Sequence, residues 1–150
     1  MARAIEIAVA NVRTGHGGPF AAVIVGEDEI VATGTNLVTS ANDPTAHAEM
    51  VAIRAACAAL KTFRLDHCEI YSTCEPCPMC LGAIYWARLR AVWFGATATD
   101  AAAAGFDDAF IYRQIATPFG QRSIPFRSLM REESLACFRE WNAQPNRIEY

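Results

Sequence analysis

At 150 residues, 53% of them hydrophobic and 19% charged, the chain can bury an ordinary core without disulfide staples and is not a disordered protein. A net charge of −3, with Lys61 the single lysine, weighs against a nucleic-acid partner, and no apolar run approaches the ~18 residues of a membrane-spanning helix. The start, Met1-Ala2-Arg3-Ala4-Ile5-Glu6, carries an acid where a signal peptide has its apolar block, so one cytoplasmic domain, residues 1–150, is the expectation.

Residues Ala2 to Val12 have helix-compatible apolar spacing that ends near Thr14-Gly15-His16-Gly17-Gly18. Phe20 to Val25 and Ile30 to Gly34, separated by Gly26-Glu27-Asp28, predict a hairpin. Asp43 as N-cap and Pro44 at the first helical position predict a helix from Pro44 to Leu60. Glu69 to Thr73 reads as a buried strand that runs into Cys74-Glu75-Pro76-Cys77-Pro78, where prolines mark a helix start continuing to Ala87. Ala91 to Gly95 is a further strand, Asp107 or Asp108 caps a helix through Ile115, and Arg131 to Trp141 forms the last helix. Strands alternating with helices imply an α/β fold, its sheet covered on both faces and partly parallel.

The chain has six cysteines, and three of them, Cys74, Cys77 and Cys80, lie within seven residues. In a chain of this length without a secretory signal, metal binding or burial is a better reading than disulfides. His47-Ala48-Glu49 and Pro76-Cys77-Pro78-Met79-Cys80 supply one imidazole and two thiolates, the donor set of a catalytic zinc site whose fourth position takes water. Both segments sit at predicted helix starts, where the helix dipole favours thiolate over thiol. Glu49 is the candidate proton carrier, because zinc lowers the pKa of bound water and a nearby carboxylate can take the proton. A geometric question accompanies it: residues i and i+2 do not share a helix face, so the site must lie at the helix end. The competing reading is a closed structural site in which Cys74 joins Cys77, Cys80 and His47, leaving no place for water and a non-catalytic protein.

The runs Asn42 to Glu49 and Cys74 to Arg88 resemble the cytidine-deaminase superfamily; with Ala104-Gly105-Phe106-Asp107-Asp108-Ala109-Phe110-Ile111-Tyr112 and the ending Glu149-Tyr150, they resemble its branch of bacterial guanine deaminases. The resemblance spans nearly the whole chain. It implies a three-layer α/β/α sandwich with a central mixed five-stranded sheet, and Zn2+ held by His47, Cys77 and Cys80. It further implies conversion of guanine and water to xanthine and ammonia, zinc hydroxide attacking the ring carbon that bears the amino group and Glu49 moving the protons. Asn36 would hydrogen-bond the purine, Phe20 and Trp86 would pack against it, and Asp108 would recognise its edge or shuttle protons. Tyr150 would close the pocket, in a homodimer that sets the C-terminal tail near the partner's active site.

Each of these residues also has a plainer role. Asn36 suits a turn, Asp107 and Asp108 a helix cap, Phe20 and Trp86 a core, Tyr150 a loose tail; His16 and His67 are read as structural. Two related activities compete. A guanosine deaminase needs the same pocket with space for ribose, which a Tyr150 lid would disfavour. A transfer-RNA adenosine deaminase shares the Asp43 to Glu49 run but calls for a basic surface that this acidic chain lacks. Gly15-His16-Gly17-Gly18 departs from the family pattern, although Pro19-Phe20 fits it.

Overall fold

A computed structural model describes all of Met1–Tyr150. The chain divides into two units, Met1–Ala109 and Phe110–Tyr150. The first opens on helix α1, Ala2–Arg13, whose buried Ala4, Ala8 and Asn11 recur at helical spacing and form one inward stripe. Strands β1 (Ala21–Gly26) and β2 (Glu29–Thr35) form the expected hairpin. Both residues of its turn, Glu27 and Asp28, have positive φ, 50° and 65°, the mirror-image turn that matches strand twist.

A short helix α2, Val38–Ala41, which has no counterpart among the predicted elements, stops at Asn42 in the left-handed region. Helix α3 runs Ala48–Leu60, starting four residues later than the Asp43-Pro44 signal suggests. The reason is local. The Asp43 carboxylate accepts hydrogen bonds from the Thr45 amide at 2.8 Å and the Thr45 hydroxyl at 2.7 Å, which closes a turn before any helix forms. Strand β3 (Cys68–Cys74), helix α4 (Pro78–Trp86), strand β4 (Ala91–Ala96) and helix α5 (Ala98–Ala103) follow.

The strands form one mixed sheet in the order β2-β1-β3-β4: β1 is antiparallel to both β2 and β3, and β3 is parallel to β4. This corrects the expected five strands to four. After β4 the chain reads Thr97-Ala98-Thr99-Asp100-Ala101-Ala102-Ala103, a capping box followed by alanine, and becomes helix instead of strand.

Alternation along the strands separates two buried layers. Ala22 and Ile24 of β1 and Cys68 and Ile70 of β3 pack with Ala48, Ala52, Ile53 and Ala56 of α3 and Ile84 of α4. Burying Ile24 or Ile70 fully contributes about 2–3 kcal/mol each. The intervening Ala21 and Val23 are buried on the other face, as are Ala4 and Ala8 of α1. Gly34 of β2 lets α3 approach closely, since a Cβ there would stand 2.2 Å from the Ala48 carbonyl and 2.5 Å from the Ala52 nitrogen.

The second unit contains most of α6 (Ala109–Ala116), a 3₁₀ turn at Phe119–Gln121 and α7 (Arg131–Ala143). The Phe119 and Phe126 rings stack at 5.3 Å, and the Arg122 guanidinium lies over both. Phe119, Ile124, Leu129, Phe138 and Ile148 are exposed.

Candidate active site

His47 is the N-cap of α3, with extended backbone at φ −68° and ψ 154°, and Glu49 lies in the first turn beyond it. The change from extended to helical backbone lets the two side chains converge although they are two residues apart, which answers the geometric question posed by helix faces. Cys77 has the same place on α4, an N-cap at φ −65° and ψ 168°, with Pro78 at the first helical position and Cys80 in the first turn. Two helix starts thus aim their amide ends at one point.

At that point the ligand atoms of His47, Cys77 and Cys80 lie within 4.8 Å of one another. His47 Nδ1 is 3.5 Å from Cys77 Sγ and 3.6 Å from Cys80 Sγ. Tetrahedral zinc, with bonds of about 2.3 Å to sulfur and about 2.0–2.1 Å to nitrogen, separates S and N ligands by about 3.5 Å. The donor set and its spacing therefore fit zinc. Cys74 does not join the cluster: its thiol points to the Thr97 carbonyl at 3.6 Å, and the closed Cys3His arrangement is not formed.

The electrostatics suit a cation. The neighbouring Cys80 side chain, then His47, brings Cys77 down to about 4 despite burial. Cys80 moves the opposite way, raised first by Cys77 beside it and then by burial, so metal binding displaces its proton. His47 is raised, chiefly by its bond to Cys77.

Glu49 is buried, 6% exposed, and hydrogen-bonded on both oxygens. The Ser72 hydroxyl donates to Oε1 at 3.0 Å, and the Cys80 thiol donates to Oε2 at 3.4 Å. Burial pushes this carboxyl above the usual carboxylate range, and the Ser72 bond opposes part of that rise. Ser72 escaped the sequence reading. Its signal is a polar residue on the buried face of β3, among Cys68, Ile70 and Cys74.

Of the other candidates, Asp108 lies within electrostatic reach of His47 and Cys77. Its carboxyl is raised by burial and by the charge on Cys77, and its own charge helps raise His47. The neighbouring Asp107 takes the turn role at the start of α6, accepting from the Ala109 amide at 2.8 Å. Asn36 follows β2; its amide bonds to the Phe20 carbonyl at 3.0 Å, and its Oδ1 accepts from the Val38 amide at 3.3 Å. Phe20 stands edge-on to Phe106, ring centroids 4.9 Å apart, and so draws Phe106 into the neighbourhood. Trp86 ends α4 with 68% of its surface exposed, about 9 Å along the helix axis from Cys80. Tyr150, in the second unit, is exposed and edge-on to Trp141 at 6.4 Å.

The loop that carries Cys77 is tied to the end of β4 and the start of α5. Glu75 donates its amide to the Ala96 carbonyl and accepts from the Ala98 amide through Oε2, both at 2.9 Å. With the Cys74–Thr97 contact, this fixes the start of α5 to the loop that carries Cys77.

Comparison with known proteins accords with this chemistry. Residues 1–96 match the family model for the cytidine and deoxycytidylate deaminase zinc-binding region. The chain is 54% identical over 148 residues to guanine deaminase of Bacillus subtilis, covering 99% of this chain and 95% of the relative. The X-ray structure of guanine deaminase from Bacillus subtilis is similar with a TM-score of 0.97 and 54% identity, over 99% of this chain and 95% of that one. The tRNA-specific adenosine deaminase of Aquifex aeolicus is 49% identical over 78 residues, 52% of this chain and 52% of its own length.

Proposed function

We infer the reaction from family membership: the chain belongs to the cytidine and deoxycytidylate deaminase family, and its reaction is the hydrolysis of guanine to xanthine and ammonia. One observation carries the choice of substrate. The match to a tRNA-specific adenosine deaminase covers 52% of the chain, whereas the match to a guanine deaminase runs through 99% of it, including the Asp107-Asp108 segment.

His47, Cys77 and Cys80 would hold zinc, which when bound lowers the pKa of a water ligand to about 7. Glu49 is the general base and then the general acid. It takes a proton from water, delivers it to the purine ring nitrogen beside the amino-bearing carbon, and assists the departure of ammonia. Its environment supports both halves of that cycle. Ser72 anchors Oε1, so Oε2, on the side of Cys80, is the oxygen that carries the proton. A carboxyl raised by burial holds a proton nearer neutral pH than an exposed glutamate does.

Asn36 and Asp108 read the purine. Because Oδ1 of Asn36 accepts from Val38, its amide N–H groups are turned towards an acceptor on the base. Asp108 accepts from the N–H edge of guanine, and its raised pKa suits a proton relay. Phe20, with Phe106 against it, offers an apolar wall for the ring, and Trp86 and Tyr150 complete the pocket in the assembled enzyme.

The two units work as one deaminase domain, 1–150, in a homodimer whose C-terminal tail brings Tyr150 near the partner's active site. The exposed Phe119, Ile124, Leu129, Phe138 and Ile148 of the second unit support an assembly that covers them. All six cysteines are unpaired, which suits a reducing cytoplasm. No helix is long and apolar enough to cross a membrane.

The test is ammonia release by zinc-loaded protein supplied separately with guanine, guanosine, adenine, cytosine and cytidine. Release from guanine alone is expected. Preferential release from guanosine would move the assignment to the nucleoside, and release from none of the five would overturn the substrate reading.

A further inference from the structure

Three polar side chains are buried in the first unit: Glu49, Ser72 and Asn11. Glu49 and Ser72 belong to the catalytic cluster. Asn11, 6% exposed, lies on α1, outside the zinc motif. Its Nδ2 donates to two main-chain carbonyls from separate loops, Gly18 at 2.9 Å and Asn36 at 3.0 Å. One amide therefore joins the end of α1 to the loop before Phe20 and to the residue that follows β2.

The surrounding backbone closes on the same atom. A Cβ on Gly17 would stand 1.9 Å from the Asn36 carbonyl oxygen and 3.1 Å from Asn11 Nδ2, so only glycine fits there. A Cβ on Gly18 would stand 3.4 Å from the Asn36 side chain. The Asn36 amide bonds to Phe20, its carbonyl to Asn11, and its side-chain oxygen to Val38. Gly17, and less tightly Gly18, thus have a packing reason. They let a helix side chain grip the backbone of a substrate-binding residue.

We propose that Asn11 is a positioning residue for purine binding: with Gly17 it sets the backbone of Asn36, and through it the direction of the Asn36 amide. This rests on the reading of Asn36 as a purine ligand. Asn11 touches neither substrate nor zinc. Its loss acts on binding of the base, leaving the metal site and the proton path through Glu49 intact.

Asn11→Ala removes both donors, and Asn11→Asp keeps the shape while placing acceptors against two carbonyls. Gly17→Ala pushes on the Asn36 carbonyl from the other side, and covers the case in which the Asn11 variants fail to fold. All three, with Asn36→Ala and the Asn11→Ala/Asn36→Ala double variant, are prepared zinc-loaded and assayed with guanine. The expected result is an unchanged zinc content, a KM for guanine raised about five- to tenfold, and kcat within about twofold of the parent. Amide hydrogen exchange at residues 36–38 rises about tenfold in Asn11→Ala, since the bonds that order those residues loosen. The double variant has the KM of Asn36→Ala alone, because positioning a side chain that is absent has no effect.

Two results overturn the proposal while leaving Asn36 as a purine ligand. One is a raised KM in Asn36→Ala with unchanged KM and exchange in the Asn11 and Gly17 variants. The other is a double variant whose KM is the product of the two single effects. If Asn36→Ala itself leaves KM unchanged, the underlying reading of Asn36 falls, and the positioning role falls with it.

Discussion

Replacing Ser72 with alanine isolates the electrostatics of the proton carrier. The hydroxyl donates to Glu49 Oε1 at 3.0 Å, and both residues are buried, so no solvent substitutes for the lost donor. A hydrogen bond to a charged group contributes about 1.5–3 kcal/mol, and one pKa unit corresponds to 1.36 kcal/mol. The bond favours the charged form, opposing the rise that burial imposes on Glu49, so its removal raises the Glu49 pKa further. As the proposed general base, Glu49 must be ionised to take the first proton, and activity therefore grows as pH rises through its pKa. The acid limb of kcat/KM for guanine in Ser72→Ala is expected about one to two pH units higher than in the parent. Activity measured on that limb falls about tenfold or more, and recovers as the pH is raised. The loss of one oxygen leaves the packing of β3 against α3 nearly unchanged, so zinc content serves as the control. A depressed rate with an acid limb at the parent's position would show that Ser72 does not act through the Glu49 charge.

Other substitutions separate metal, chemistry and packing. Glu49→Ala keeps one zinc per chain by elemental analysis and loses deamination by about 10²–10⁴-fold, the range of general acid–base catalysis. Cys74→Ser retains zinc, because that thiol faces the Thr97 carbonyl, whereas Cys77→Ser and Cys80→Ser lose it; zinc loss from Cys74→Ser would revive the closed site. Gly34→Ala drives a Cβ to within 2.2 Å of the α3 backbone at Ala48 and is expected to destabilise by about 3 kcal/mol in a denaturant melt. A melt within 0.5 kcal/mol of the parent would mean that α3 can move off β2 without loss.

Much of the site is legible because ligand chemistry is local. One imidazole, one carboxylate two residues on, and a C-x-x-C on a proline-marked helix start specify zinc and a proton carrier before any fold is known. The strands were legible for a similar reason, since β1 to β4 are short apolar runs bounded by turn residues. Where the reading slipped, two local signals competed. Asp43-Pro44 resembles a helix start, but the Asp43 carboxylate closes a turn onto Thr45, and His47 becomes the cap instead. The fifth strand came from resemblance alone, and the alanine-rich stretch after β4 is helical.

Residue types and short spacings thus determined the metal and the class of fold and marked Glu49 as the candidate acid–base, because those depend on donor atoms and periodicity within a few neighbours. Tertiary structure alone decided which polar residues meet. Ser72 reaches Glu49 across 23 positions of sequence, and Asn11 reaches Asn36 across 25. Cys74, three residues from a zinc ligand, shares the buried face of β3 with Ser72 yet turns its thiol to the Thr97 carbonyl at the start of α5. Such pairings follow from strand register and helix packing, which many distant residues fix together and no local pattern encodes.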